Sequence, residues 1–204
     1  MIRRVRAEFS ARSDGDLRGD LEARRRFCDR SGIPASWATV RQVHGAGVAV
    51  VSEPGDHGDA DALVTNRPGL PIAVFTADCL GIVIDAGSAV GVAHAGWRGL
   101  AAGVIEATVD ALGAVGAEPV AATIGPAIGP CCFEVGPEVA DEFPEHTGST
   151  SWGTVSVDLV GAARARLGVP AGRDGACTRC GEDSFSHRRD ATPQRMATVG
   201  WIEP

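Results

Sequence analysis

The chain has 204 residues, a length that suits one domain able to bury a sizeable core. Its 44% hydrophobic and 22% charged content is that of an ordinary globular protein, and no run approaches the roughly 18 uninterrupted apolar residues of a membrane helix. The formal net charge of −7 argues against general binding to nucleic acid or to acidic membranes.

The opening, MIRRVRAEFS, carries charge with no apolar segment behind it, so no signal peptide is read and a cytoplasmic setting is expected. In that setting the six cysteines stay reduced. All 19 basic residues are arginine, so every fixed positive charge is a guanidinium suited to a two-bond grip on carboxylate or phosphate. Residues 12–33 are polar, with a helix expected over Glu22 to Asp29 whose arginines face solvent. From Trp37 the texture changes. ATVRQVHGAGVAVV reads as a strand or hairpin turning at Gly45 and Gly47, and GDHGDADALVT as a loop entering a short strand.

PIAVFTADCLGIVIDA reads as two buried strands flanking Asp78 and Cys79, and AVGVAHAG as another strand. One helix is expected over WRGLAAGVIEATVDALGAVG, with Leu100, Val104, Ala107, Val109 and Leu112 on its apolar face. PVAATIG begins as a strand and passes into a Gly-Pro loop. SVDLVGAARARLGVP is a helix capped by Asp158 and stopped at Gly168, and RMATVGWI is a closing strand. There is no repeat or interdomain linker. Strands outnumber helices, and hairpin-like neighbours mix with helical crossovers. The expectation is an α+β fold: one domain over residues 1–204, a mixed β-sheet sandwich with flanking helices.

His44, Cys79 and His94 share a setting. Each lies at or near the end of an expected strand with glycine close behind. Taken singly, a strand histidine is more often a core or turn residue, and cysteine is commonly buried. Taken together, two imidazoles and a thiolate make a three-ligand zinc set with the fourth position open, the pattern of a catalytic metal.

The blocks RQVHG, DADALVT, TADCLGIVI, GVAHAGWRGLAAGVI, IGPAIGPCCFEVG and CGEDSFSHRRD resemble, in this order, those of the YfiH-like family. That family is also called the multicopper polyphenol oxidoreductase (laccase) domain, and many members are described as purine nucleoside phosphorylases. The resemblance spans roughly residues 37–204 and implies a YfiH-like, cysteine-hydrolase-like fold. It also implies that the family's metal and active-site residues fall on His44, Cys79 and His94. Zinc or copper is the implied metal, with phosphorolysis of adenosine, inosine and methylthioadenosine, and adenosine deamination, as the associated reactions. Departures lie mainly at the front. Residues 1–36 are shortened where relatives carry a longer Gly-rich segment, and Ala162-Ala163 stand where an asparagine is common.

Around the trio, Arg98 stands four residues after His94 at the start of a helix and fits either an anion site for phosphate or a surface ion pair. Gln42 fits either a ligand's amide edge or a hydrogen bond inside the sheet. Arg188 and Arg189 offer a second anion grip, of which alternation lets only one reach the site. Asp78 is read as structural support for Cys79. Asp59 and Asp61 fit either turn duty or holding a histidine tautomer. CTRC (Cys177 to Cys180) has the gap of a zinc knuckle. Its only close second pair, Cys131-Cys132, has the wrong spacing for a four-ligand site, so all four are read as buried or free thiols with Cys132 near the pocket.

Three functions follow. The first is a purine nucleoside phosphorylase with adenosine deaminase activity, although the H-x-E and P-C-x-x-C signature of zinc deaminases is missing. The second is a cysteine amidase with Cys79 as nucleophile and His94 as base, editing peptidoglycan precursors as some members of the family do. The third, a true laccase, is disfavoured because the chain has five histidines, too few for a multicopper set. A lone blue-copper site would need Met196 as its axial ligand. The expected partners are a purine nucleoside and phosphate, acting on a monomer.

Overall fold

The computed structural model describes residues 4–204; the first three residues, where the expected domain begins, lie outside the described residues. The first half contains β1 (Val5–Phe9), α1 (Leu21–Ser31), β2 (Ala38–Arg41), β3 (Val48–Val50), β4 (Gly55–Asp59), β5 (Ala62–Thr65), β6 (Ile72–Thr76), β7 (Leu80–Asp85) and β8 (Val90–Ala95). There follow α2 (Trp97–Ala101), α3 (Val104–Ala114), β9 (Ala121–Ile124), α4 (Pro137–Ala140), β10 (Thr147–Ser149) and β11 (Val155–Val157). The chain closes with α5 (Leu159–Leu167), β12 (Ala171–Arg173), α6 (His187–Asp190) and β13 (Met196–Ile202).

Strand alternation sorts side chains into layers. A five-stranded sheet runs β1-β13-β6-β2-β4 and a six-stranded sheet runs β12-β9-β7-β8-β5-β3, each with parallel and antiparallel pairs. Ile72 and Val74 of β6 meet Val83, Val90 and Val92 of the second sheet, forming the inner layer. On the opposite face of the first sheet, Ala73, Phe75, Ala197, Val199 and Trp201 pack on Ala23 and Phe27 of α1. On the far face of the second sheet, Leu80, Ile82 and Ile84 pack on Leu100, Ile105 and Leu112 and on α5. The result is a mixed α+β sandwich, helix–sheet–sheet–helices. Each fully buried Leu or Ile contributes about 1.5–3 kcal/mol relative to exposure.

The two sheets come unusually close where β7 and β13 cross. A Cβ on Gly81 would lie 2.0 Å from Thr198 Oγ1, so only glycine permits the approach. Gly81 is the register partner of His94, and the tight crossing therefore fixes the sheets next to the site.

Local signals place several elements as expected. Asp20 caps α1 by accepting the Glu22 and Ala23 amides, and Gly32 ends the helix in the left-handed region. Asp158 and Gly168 do the same for α5. Three expectations are corrected. β2 and β3 are not a hairpin, because they belong to different sheets. GDHGD is a strand, β4, which pairs in parallel with β2 at a sheet edge where polar side chains meet water. The long helix after His94 breaks at Gly103 (φ 87°) into α2 and α3. The buried face of α3 is accordingly Val104, Ile105, Thr108 and Leu112, not Ala107 and Val109.

Candidate active site

The three singled-out residues meet at one end of the sandwich. His44 lies in the loop after β2, Cys79 immediately before β7, and His94 within β8 on its inner face. Their ligand atoms all lie within 4.8 Å of one another, and the two imidazole rings stand 4.8 Å apart, edge to face. His94 is buried, Cys79 half-buried and His44 exposed, so the trio opens outwards from a dry floor.

Two strained backbones make this possible. His44 (φ 62°) and Asp78 (φ 90°) both occupy the left-handed region, which costs a non-glycine residue on the order of 1 kcal/mol or more unless held. Asp61 holds the first. Its fully buried carboxylate accepts the amides of Val43 (3.2 Å), His44 (2.9 Å) and Gly45 (2.6 Å). Asp78 is held by the Thr178 hydroxyl (2.6 Å) and the Arg188 amide (2.7 Å), both donating to its carboxylate.

Asp61 also lies 2.8 Å from His94 Nδ1. An Nδ1–H donated to Asp61 leaves Nε2 free to face the cavity, the tautomer that a metal-ligating or basic histidine needs. Burial pushes the Cys79 thiol up, but hydrogen bonds from His44 and His94 outweigh it and bring the group down to about 6. Burial pushes His94 down, but Asp61 and Cys79 outweigh it and raise the imidazole to about 9. A thiolate beside an imidazolium is thus the favoured state of the bare protein. The donor set of two imidazoles and a thiolate, with one histidine backed by a carboxylate, fits a three-ligand metal site.

The glycines of GVAHAGWRGL are explained by crowding. A Cβ on Gly96 would lie 3.0 Å from Cys79 Sγ and 3.2 Å from His44 Cδ2, and one on Gly99 would lie 2.9 Å from the Gly45 carbonyl. Both glycines let α2 press against the loop that carries His44.

The trio floors a cavity of about 570 Å³ whose lining also includes Arg18, Arg24, Arg195, Phe75, His187 and Gln42. Arg24 stacks over Trp37 (4.8 Å) and bonds to the Leu17 carbonyl. The guanidiniums of Arg18 and Arg195 bond to backbone carbonyls of the 192–194 turn, and among the described residues neither forms an ion pair with a carboxylate, although Asp16 accepts the backbone amides of both residues. Two guanidiniums without an ion-pair partner on one wall have the chemistry to bind an anion. No pattern in the polar 12–33 stretch marks Arg18, and Arg195 stands alone in sequence, so neither was legible beforehand.

Gln42 lines the cavity with its amide spent. It donates to the Phe75 carbonyl and accepts the Phe75 amide, both at 2.8 Å, as a strand would. Arg98 lies outside the lining, its guanidinium stacked 4.3 Å over Trp97. Arg188 also lies outside the lining and bonds to the Glu134 carbonyl, while its neighbour His187 faces in. Asp59 pairs with Arg41, leaving Asp61 alone as the histidine holder. Cys131, Cys132, Cys177 and Cys180 are free thiols as expected, but the spacing argument against a shared site and the placement of Cys132 near the pocket are corrected: the four sulfurs converge within 4.8 Å, away from the cavity lining.

Comparison with known proteins finds similar sequences and similar folds. The family model described as multi-copper polyphenol oxidoreductase laccase matches residues 10–203. A Streptomyces coelicolor protein named purine nucleoside phosphorylase is 41% identical over 206 residues, covering 93% of this chain and 85% of the relative. Purine nucleoside phosphorylase YfiH of Escherichia coli is 40% identical over 195 residues, covering 89% and 80%. The crystal structure of the Bacillus licheniformis hypothetical protein YfiH superposes with a TM-score of 0.87 at 26% identity, covering 97% of this chain and 92% of that one. YlmD of Geobacillus stearothermophilus superposes with a TM-score of 0.82 at 32% identity, covering 90% and 80%.

Proposed function

The chain belongs to the multi-copper polyphenol oxidoreductase laccase family, and from that membership we propose that it is a purine nucleoside phosphorylase. Its substrates are adenosine and inosine, with methylthioadenosine as a further one, and adenosine deamination is a secondary activity of the same cavity. The observation that carries the reading is the presence of the His44–Cys79–His94 trio and of Arg18 and Arg195, whose guanidiniums form no ion pair, in one cavity of about 570 Å³. That volume suits a nucleoside with phosphate beside it. The relatives named purine nucleoside phosphorylase support the same assignment.

In this reading Arg18 and Arg195 grip phosphate and aim one oxygen at the ribose. That oxygen bonds to C1′ as the C1′–N9 bond breaks, giving ribose 1-phosphate. The departing purine takes a proton at a ring nitrogen, which His187 is positioned in the lining to deliver. Phe75 supplies an aromatic face for the base. His44, Cys79 and His94 would hold zinc, with copper the alternative, and the bound metal would supply Lewis-acid chemistry.

A second reading rests on a specific observation. Asp61, His94 and Cys79 form a carboxylate–imidazole–thiolate line, the arrangement of a cysteine nucleophile with its base. It supports a cysteine-dependent amidase of peptidoglycan precursors on a cysteine-hydrolase-like fold. Copper oxidation of polyphenols is not supported to the same degree. Five histidines are too few for a multicopper set, and Met196 is packed in an apolar cluster with Ala77 and Phe185.

Incubation of metal-analysed protein with adenosine and inosine, with and without phosphate, separates these readings. Phosphate-dependent release of free base supports phosphorolysis, and inosine formed from adenosine supports deamination. Absence of both moves the assignment to the amidase, and full activity after metal removal favours Cys79 as the nucleophile over a metal at the trio.

A further inference from the structure

We propose that Cys131, Cys132, Cys177 and Cys180 form a second metal site, a four-thiolate structural zinc centre that clamps the wall of the active-site cavity. The inference is independent of the nucleoside reading, because it rests on a cluster outside the cavity lining.

Distances come first. Cys180 Sγ lies 3.3 Å from Cys132 Sγ and 3.6 Å from Cys131 Sγ, and all four sulfurs fall within 4.8 Å of one another. A disulfide would need about 2.05 Å. Zinc–sulfur bonds of about 2.3 Å at tetrahedral angles put sulfurs about 3.8 Å apart, inside the observed spread. Four soft donors with no carboxylate or imidazole among them select zinc over magnesium or calcium.

The local backbone supplies an independent sign. The Gly129 amide donates to Cys177 Sγ at 3.2 Å, and the amides of Arg179 and Cys180 are also directed at that sulfur. Amides two and three residues ahead aimed back at the first sulfur of C-x-x-C make a turn shaped to hold thiolate. Gly129 packs closely here: a Cβ would lie 3.4 Å from both Cys131 Sγ and Cys177 Cβ. The Arg189 guanidinium closes the turn, donating to the carbonyls of Thr178 (2.9 Å), Arg179 (3.3 Å) and Gly181 (2.5 Å). The same guanidinium is paired with Asp190, so it holds the turn and does not neutralise the cluster, and a four-thiolate zinc centre would keep its two negative charges. Each thiol gives up its proton to solvent on binding.

The clamp acts on the cavity through the segment that follows. Thr178 and Arg188 are the residues that hold the strained Asp78, the neighbour of Cys79, and His187 on the same segment lines the cavity. Tying this segment to the Cys131-Cys132 loop therefore fixes one wall of the site.

The test is done in a Cys79→Ala, His44→Ala background, so that the trio holds no metal. Elemental analysis of the purified protein is expected to find one zinc per chain. Cobalt exchanged into it is expected to show an intense near-ultraviolet thiolate charge-transfer band, and adding Cys177→Ser and Cys180→Ser should remove both signals. Circular dichroism and mass spectrometry accompany each variant. A folded background protein with no zinc and no cobalt–thiolate band overturns the proposal, whatever the quadruple variant does. So does a disulfide between Cys132 and Cys180 in freshly purified protein.

Discussion

Asp61 Oδ1 stands 2.8 Å from His94 Nδ1, and both side chains are sealed from solvent. The same carboxylate gathers the three amides that hold His44 in its left-handed conformation. One buried charge therefore orients two of the three members of the trio, one through its ring and the other through its backbone.

Replacing that carboxylate tests the coupling. Asp61→Asn keeps the size but offers an amide that donates where His94 must donate. Metal affinity, measured by competition with a chelator, is expected to fall about 10–100-fold. Thermal denaturation should show a loss of about 1–3 kcal/mol for the strained loop. Unchanged affinity would mean that His94 is oriented by something else.

In metal-free protein Cys79 should behave as an acidic thiol. Its pKa is brought down to about 6 from an ordinary 9.0, so the reactive thiolate predominates at pH 7 and is lost as pH falls through 6. Site-resolved alkylation by iodoacetamide, read by mass spectrometry, should therefore be half-maximal near pH 6. A midpoint near 9 would show that His44 and His94 do not stabilise the thiolate.

The phosphate grip is assigned to Arg18 and Arg195. Each charge-assisted contact is worth about 1.5–3 kcal/mol, so either change to alanine should raise the phosphate KM about ten- to a hundredfold. Arg98→Ala, which removes a guanidinium stacked on Trp97 outside the cavity, should leave it within about twofold. The reverse ranking in steady-state kinetics would return the anion site to Arg98.

Crowding at Gly96 predicts a mutation that damages the site while the fold survives. The methyl group of Gly96→Ala must push Cys79 or His44 aside by a few tenths of an ångström; since a displacement near 1 Å can cost about a hundredfold, a loss of roughly several-fold in rate is expected. Gly113→Ala is the control. It lies in α3 with nothing within 4 Å of the added carbon and should stabilise the protein by about 0.5–1 kcal/mol. Activity retained in Gly96→Ala would show that the contact yields.

The legible parts of this protein are those whose signal is local. Continuous apolar runs in residues 72–76, 80–85, 90–95 and 196–202 mark buried strands wherever they finally pair, and Asp158 with Gly168 brackets a helix through bonds within its own turns. The ordered blocks around His44, Cys79 and His94 likewise carried the family, because residues that share a chemistry can be matched one by one.

Tertiary structure alone decided everything that depends on approach between distant segments. The Gly45–Gly47 stretch looks like a hairpin turn, yet it carries the chain from one sheet to the other, since sheet membership depends on which partner strand is present. The Cys131-Cys132 pair and the Cys177–Cys180 turn look incompatible by spacing, which says nothing of sulfurs brought together across 45 residues of folded chain. Arg18 and Arg195 share one cavity wall only because the segment before α1 and the turn before β13 meet there. Hydrophobic periodicity tells each segment which face to bury; it holds no record of which charged tips that burial will leave facing one another.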